Sequence, residues 1–585
     1  MGDELREHKT GGQSFLEGAI VLTAATCIVK IIGALFKIPL ANILGGGGMS
    51  YFVSAYDIFT PLYSLTVTGL GIAVSRVVSE YVSQRAYGNV KAVLRAARRI
   101  FWTMGIAGAL LLALAAPAFV RVISNPGALL SVYAIAPAII FSCISSIYRG
   151  YYQGLSNMVP TAKSQVLEAA VKMLAGTALS YGVTVAMRAR YSAAGQLLGQ
   201  SFATTEEADI LIFQYSAAAA VLGVTLSTVA GALYIGWHHR RAAPHSLILA
   251  SQKPATHSTS YLGRDLIRIA IPISLSTLVV NLSALIDLTS VMNCLTAAIR
   301  QDASVILTMY RGLIPAEITG DILPEYLYGS YSGLAFSIFN LIPSLTAAMG
   351  ISALPSVTRA WAAKDRQELE NTVSSVLRIS LMVALPAGLG ISVLAGPILN
   401  LLYPARAMEA AIIAPVLRVM GISAIFVAAA TPINSILQAI GRERLPLAVL
   451  TVGAVIKLST NLVLVSRPEI NIQGVPYGTL FCYLFIVVIS TVALVRLSGL
   501  RLSFWKVLVK PAFCAIVSAM AAYSSYHLLF TGASSSLRVL ATIGLTAGVY
   551  GVMILLTKTI TTSDVQMLPI NEKVVKTLEK LGVIS

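Results

Sequence analysis

The sequence predicts an all-α polytopic membrane protein, and three observations carry that prediction. First, its 585 residues are 56% hydrophobic and only 11% charged, against roughly 25% charged in soluble domains. Second, the runs Val122–Tyr148, Ile210–His239, Tyr326–Thr358, Ile379–Ala405, Ile470–Val495 and Pro511–Leu537 contain no Asp, Glu, Lys or Arg. Each exceeds the roughly 20 residues a helix needs to cross the hydrocarbon layer. Third, the basic residues are unevenly placed. With the N-terminus cytoplasmic, 27 Lys and Arg fall in cytoplasmic segments and helix ends, and 8 on the opposite side. That bias puts both termini inside and calls for an even number of helices.

Apolar runs separated by polar breaks give fourteen helices, near 15–44, 50–83, 95–122, 127–153, 160–186, 209–237, 263–296, 327–360, 370–404, 409–439, 445–466, 472–495, 508–530 and 537–557. The first is expected to be a retained helix, since it lacks a short h-region with a cleavage site. Gly45–Gly48 are expected to form the external turn into the second helix, with a hinge as the other reading. The stretch 297–326, with "GLIPAEITGDILPEY", is expected as an external cap. The C-terminal "INEKVVKTLEKLGVIS" is expected to lie on the inner membrane surface.

The net charge of +17 does not form a nucleic-acid face, because the cations sit at helix ends. Cys27, Cys143, Cys294, Cys482 and Cys514 stand singly within apolar segments, without metal-ligand or disulfide spacing. No metal and no cofactor are expected.

Two internal matches point to a repeat. "GIAVSRVVSEYVSQRAYGNVKAVLRAARRI" (Gly71–Ile100) and "GISALPSVTRAWAAKDRQELENTVSSVLRI" (Gly350–Ile379) have equal length and the same ends. "QGLSNMVPTAKSQVLEAAVK" (Gln153–Lys172) and "QAIGRERLPLAVLTVGAVIK" (Gln438–Lys457) share their Gln-to-Lys spacing. Together they predict two six-helix repeats of the same orientation plus two added helices, an arrangement of transporters. The expected division is an N-terminal lobe at 1–240, a cytoplasmic linker at 241–262, a C-terminal lobe at 263–500, and the last two helices with the tail at 501–585.

Ionisable residues inside spans are costly, on the order of 3 kcal/mol each by insertion scales, and so mark function. Lys30 and Lys37 share a face of the first helix, about 10 Å apart along its axis. Lys37 has a snorkelling route to the outer interface, whereas Lys30, in mid-span, calls for a wet cavity or an acidic partner. Asp57 either neutralises Lys37 or lines the same cavity. Glu168 and Lys172 form an i, i+4 pair in the favourable order, which can be self-neutralising. Asp287 and Lys457, both assigned to the C-terminal lobe, are expected to pair, or to mark a proton or cation site with Asn281 and Asn461. Arg418 is a further embedded charge. With Arg76 and Arg149, the N-terminal half gains a cationic cavity suited to a phosphate or pyrophosphate.

"VKIIGALFKIPLANILG", "SSIYRGYYQGLSNMVPTAKSQVLEAAVK" and "FNLIPSLTAAMGISALPSVTRA" resemble the stage V sporulation protein B family of polysaccharide-biosynthesis transporters. That family belongs to the MOP superfamily, with the MurJ lipid II flippases and the MATE exporters. The resemblance covers about 15–500, and "YRGYYQGLSNMVPTA" is its most specific piece. It implies a V-shaped pair of lobes that alternate access and carry an undecaprenyl-pyrophosphate-linked saccharide, the lipid tail staying in a side groove. It further implies a monomer in the bacterial cytoplasmic membrane that moves substrate without catalysis. Lys30 matches the first basic residue that MurJ-type flippases carry on helix 1. Lys37 stands near the second with one residue more between them, and Ile38 replaces the acid that follows there. The arginine those flippases carry on helix 8 has no counterpart in "LYGSYSGLAFSIFNLIP". Lys457 falls near the sodium-binding region of some relatives, which leaves coupling to the membrane potential, H+ or Na+ open.

The expected function is therefore a flippase for lipid II or a related cell-wall precursor. A MATE-type drug or cation antiporter predicts several carboxylates in the N-terminal cavity, where Asp57 is the strong candidate. A membrane enzyme needs a catalytic constellation that the six histidines, mostly in the N-terminal tail and one loop, do not supply. A non-transporting scaffold in sporulation or cell-wall assembly leaves Lys30 unexplained.

Overall fold

A computed structural model describes residues 15–241, 257–529, 534–561 and Asp564, except positions 203, 316, 317, 319, 321 and 443. Nearly all of it is helical. The helices are α1 (Phe15–Tyr63), α2 (Gly69–Ser83), α3 (Tyr87–Val122), α4 (Leu129–Ile135), α5 (Ala138–Gly154), α6 (Val159–Ala194), α7 (Thr205–Arg241), α8 (Thr259–Met309) and α9 (Leu323–Ser330). They continue with α10 (Phe336–Phe339), α11 (Leu341–Ala362), α12 (Arg366–Val393), α13 (Ala395–Leu402), α14 (Ala407–Ala439), α15 (Arg444–Leu464), α16 (Val475–Ser498), α17 (Lys510–Ser524) and α18 (Ser535–Leu556).

Among the described residues, 11 segments are long and apolar enough to cross a membrane. The first of them, Val21–Ser83, holds two of the sequence-predicted helices. α8 and the stretch 323–362 occupy the places of two more. The expected external turn at Gly45–Gly48 is a single break. Gly45 has φ 60 and ψ −169, in the region open to glycine, and the chain is helical on both sides. Much of the expected external loop is likewise helical. α8 runs to Met309, with extended backbone at Asp302, whose carboxylate accepts hydrogen bonds from the Ser304 hydroxyl and the Ser304 and Val305 amides. These bonds hold the Asp302 carboxyl below its ordinary range. A two-stranded hairpin (Gln196–Leu197 with Gln200–Ser201) joins α6 to α7. The C-terminal amphipathic segment and most of the 241–262 linker lie outside the described residues.

The chain divides between Asn293 and Cys294 into two compact units. The boundary falls inside α8 rather than at 241–262. Within the first unit α8 approaches α2 closely: a Cβ on Gly69 would run into the Ala270 carbonyl and Ser274. Asn281 also donates to the Ser64 hydroxyl.

In the first unit, α6 packs along α7 and α1, while α2 and α3 pack on α5. The "YRGYYQG" motif supplies the α5 face. A Cβ on Gly154 would lie 2.7 Å from the Ser75 carbonyl, and one on Gly150 would strike the Gly71 carbonyl. Small residues four apart let the two backbones meet, as in membrane helix pairs generally. Between α1 and α2 the residues Ser64–Thr68 form a π-helical turn, which loosens the regular ladder of carbonyls. Ser146 of α5 donates to the Val67 carbonyl at 3.1 Å.

In the second unit, α14 is central and packs against α11, α12 and α16. α15 packs on α16, α12 on α17, and α17 on α18. Arg378 of α12 makes a two-pronged ion pair with Asp564, at 2.7 Å on both prongs, and both side chains are at most 5% exposed. Glu325 and Glu409 are also buried here, Glu409 beside Arg406 at 3.7 Å.

Candidate functional site

The first unit contains a cavity of about 310 Å3 bounded by α1, α5, α6 and α7. Arg149, at the inner part of α5, is its centre. Its Nη2 donates to Glu168 Oε2 at 2.6 Å, and its Nε to the Ser164 hydroxyl at 2.8 Å. Both acceptors lie on α6, one turn apart. They fix the guanidinium plane while its Nη1 edge has no hydrogen bond to the described residues. Gly231 of α7 leaves the room this requires: a Cβ there would come 3.1 Å from Glu168 Oε2 and 3.4 Å from Arg149 Nη2.

Lys172, one turn beyond Glu168, also lines the cavity. The sequence pattern favoured a Glu168–Lys172 pair along α6. Glu168 instead gives its ion pair to Arg149, with Lys172 still within its electrostatic influence. The Lys172 ammonium reaches α1 at Gly33, 4.0 Å from where a Cβ would stand. Gly33 lies between Lys30 and Lys37 on the same helical face. Lys37, half-buried, feels both the Asp57 carboxylate and the Lys172 ammonium.

Tyr56, Phe59 and Tyr63 form another wall. They belong to an aromatic ladder, Phe36–Phe52–Tyr56–Phe59–Tyr63, with ring centroids 5.1 to 6.5 Å apart. The cavity therefore sets two hydroxyl-tipped rings opposite fixed cations. With Lys37 and Asp57, which are electrostatically linked to each other and through Lys172 to this set, three cations accompany two carboxylates.

Of the sequence-predicted residues, Arg149, Glu168 and Lys172 line this cavity, and Lys37 and Asp57 adjoin it. Lys30 is exposed on α1, Arg76 on α2 and Arg418 on α14, none among the cavity's lining residues. Asn281 is spent on Ser64 and the Thr277 carbonyl. Asp287 falls in the first compact unit and Lys457 in the second. Asn461 is buried on α15, its Oδ1 against Gly478 of α16, over which the Lys457 stem also packs. Ser164 and the two tyrosines were not singled out from the sequence. Ser164 lies four residues before Glu168, a spacing that would have placed it on the same face.

Two family models match the chain, one described as Polysaccharide biosynthesis protein over residues 15–205 and one as MatE over 330–463. Lipid II flippase MurJ of Bacillus subtilis (strain 168) is 25% identical over 516 residues, covering 86% of this chain and 86% of that protein. Stage V sporulation protein B of the same organism is 21% identical over 560 residues, covering 95% and 98%. A solved structure of lipid II flippase MurJ in an inward closed conformation aligns with a TM-score of 0.60. It covers 92% of this chain and 98% of that one at 13% identity, a likeness of fold.

Proposed function

We propose, for a chain that belongs to the MOP superfamily of membrane transporters, that its cargo is a lipid-linked saccharide carried through an anionic pyrophosphate. Lipid II or a related cell-wall precursor is the leading candidate. The observation that carries this reading is the charge arrangement of the first unit. Arg149 keeps one donor edge open and Lys172 points toward α1 between Lys30 and Lys37. Ammonium and guanidinium donors bind phosphate oxygens by charge-assisted hydrogen bonds. The curated relatives with flippase and sporulation names support the substrate class. The proposed driving force is the membrane potential or a gradient of H+ or Na+, which selective ionophores separate.

The test is complementation of a flippase-depleted bacterium, with lipid II at the outer face measured directly. The wild-type chain is expected to restore exposure, and Lys30→Ala to abolish it while the protein remains in the membrane. Lys30→Arg should retain it. Restoration by Lys30→Ala would remove Lys30 from the substrate path, and no exposure with the wild type would remove lipid II as the cargo. The presence of Asp57 and Glu168 in one unit gives a cation antiporter a specific foothold. Uptake of an organic cation into inverted vesicles, lost in Glu168→Gln, would favour that second reading.

A further inference from the structure

We propose that the second unit binds the phosphate headgroup of an anionic phospholipid in a cavity of about 550 Å3 between the α11–α12 turn and the end of α16. Three cations line it: Lys364 from the turn, Arg366 at the first position of α12, and Arg496 from the last turn of α16. The carboxylate among the lining residues, Asp365, is engaged as the N-cap of α12, accepting from the Glu368 amide at 3.0 Å. The first turn of α12 faces the same space with its positive dipole end. A phosphate monoanion here meets three donors of its own complementary charge, each on a different segment position, and no uncommitted carboxylate among the lining residues.

The surroundings select a lipid over a free phosphate. Trp361, 38% exposed, and Leu497, 39% exposed, stand among the lining residues. Tryptophan settles at headgroup level in membrane interfaces. On α16, Val488, Val492 and Arg496 follow one another at i, i+4 and i+8. Both valines are about half exposed, so an apolar lane runs along the helix to the guanidinium. An acyl chain along this lane places its phosphate at Arg496. The surplus of Lys and Arg assigns this end of α16 to the cytoplasmic leaflet, whose anionic lipids attract juxtamembrane basic residues. This site is separate from the cavity of the first unit and does not depend on the cargo proposed above.

The experiment uses the full chain in detergent, titrated with phosphatidylglycerol, phosphatidylcholine or inorganic phosphate. Retained lipid is counted by native mass spectrometry and the melting temperature is read in parallel. Phosphatidylglycerol is expected to be retained and to raise the melting temperature, and the other two are not. The double variant Arg366→Gln/Arg496→Gln should weaken phosphatidylglycerol binding about thirtyfold, from roughly a factor of five per basic side chain. Arg366→Lys/Arg496→Lys should keep most of it, which separates lost charge from lost fold. Unchanged binding in the Gln variant, or equal retention of phosphatidylcholine, overturns the proposal. So does inorganic phosphate matching the effect of phosphatidylglycerol, which would make the ligand a free anion.

Discussion

The two internal repeats meet the same design problem at the same place and answer it differently. Aligning Gln153–Lys172 with Gln438–Lys457 sets Arg149 opposite Asn434, Glu168 opposite Gly453, and Lys172 opposite Lys457. In the first unit these positions hold an ion pair around a cavity. In the second, Ile486 and Cys482 fill the space at Gly453, within an apolar cluster with Ala430 and Val449. Asn434 accepts a bond from Ser490 at 3.3 Å. The lysine alone is common to both. At these positions one repeat thus carries a charged cavity and the other a packed apolar interior.

The other repeat match shows the reverse. Arg99 and Arg378 end equivalent segments. Arg99 is exposed, whereas Arg378 is buried against Asp564, with the Thr561 and Ser375 hydroxyls also accepting from its Nη2. The second unit therefore uses its buried charge for construction.

The sharpest way to break this contrast is Asp564→Ala. Leaving the Arg378 guanidinium buried without its partner should cost about 3–5 kcal/mol, read as unfolding of the purified protein in detergent. A loss below about 1 kcal/mol, the range of surface pairs, would make the two arginines equivalent after all. Gly453→Ala comes next. A Cβ there would lie 2.9 to 3.1 Å from Ile486 and Cys482. Overpacking costs about 1–3 kcal/mol and helix propensity returns about 1, for a net loss of up to about 2 kcal/mol.

Gly231→Ala should move the other way, because its neighbours are the flexible ends of Glu168 and Arg149. Stability is expected to rise by up to about 1 kcal/mol, while transport falls as the ion pair is displaced. Equal signs for the two glycine variants would erase the distinction between cavity and packed core. Arg99→Ala, the smallest effect, should stay within about 0.5 kcal/mol of the parent.

Much of the fold was legible because membrane spans must be long, apolar and uncharged, a constraint strong enough to read from composition. The repeats were legible through shared lengths and ends. The close approach of α8 to α2 at Gly69 was not, because a lone glycine in an apolar run carries no partner's name. At the candidate site, the residues Arg149, Glu168 and Lys172 were found but their pairing was not. The i, i+4 rule describes a helix by itself. Across two helices, a guanidinium held by both Glu168 and Ser164 outcompetes a flexible ammonium. Arg378 and Asp564, 186 positions apart, were invisible because nothing local links them. Glu325 and Glu409 were overlooked because each sits near a predicted helix boundary, where a carboxylate ordinarily meets water.

The short turn between α5 and α6 has a consequence for biogenesis. Arg149 and Glu168 lie 19 positions apart on consecutive helices. Either helix entering the bilayer alone brings a charge worth on the order of 3 kcal/mol of insertion penalty. Entering as a hairpin, with the Arg149–Glu168 pair formed across it, the two present the membrane with a neutral dipole. The residues that give the finished cavity its chemistry would also let that part of the chain leave the translocon as one piece.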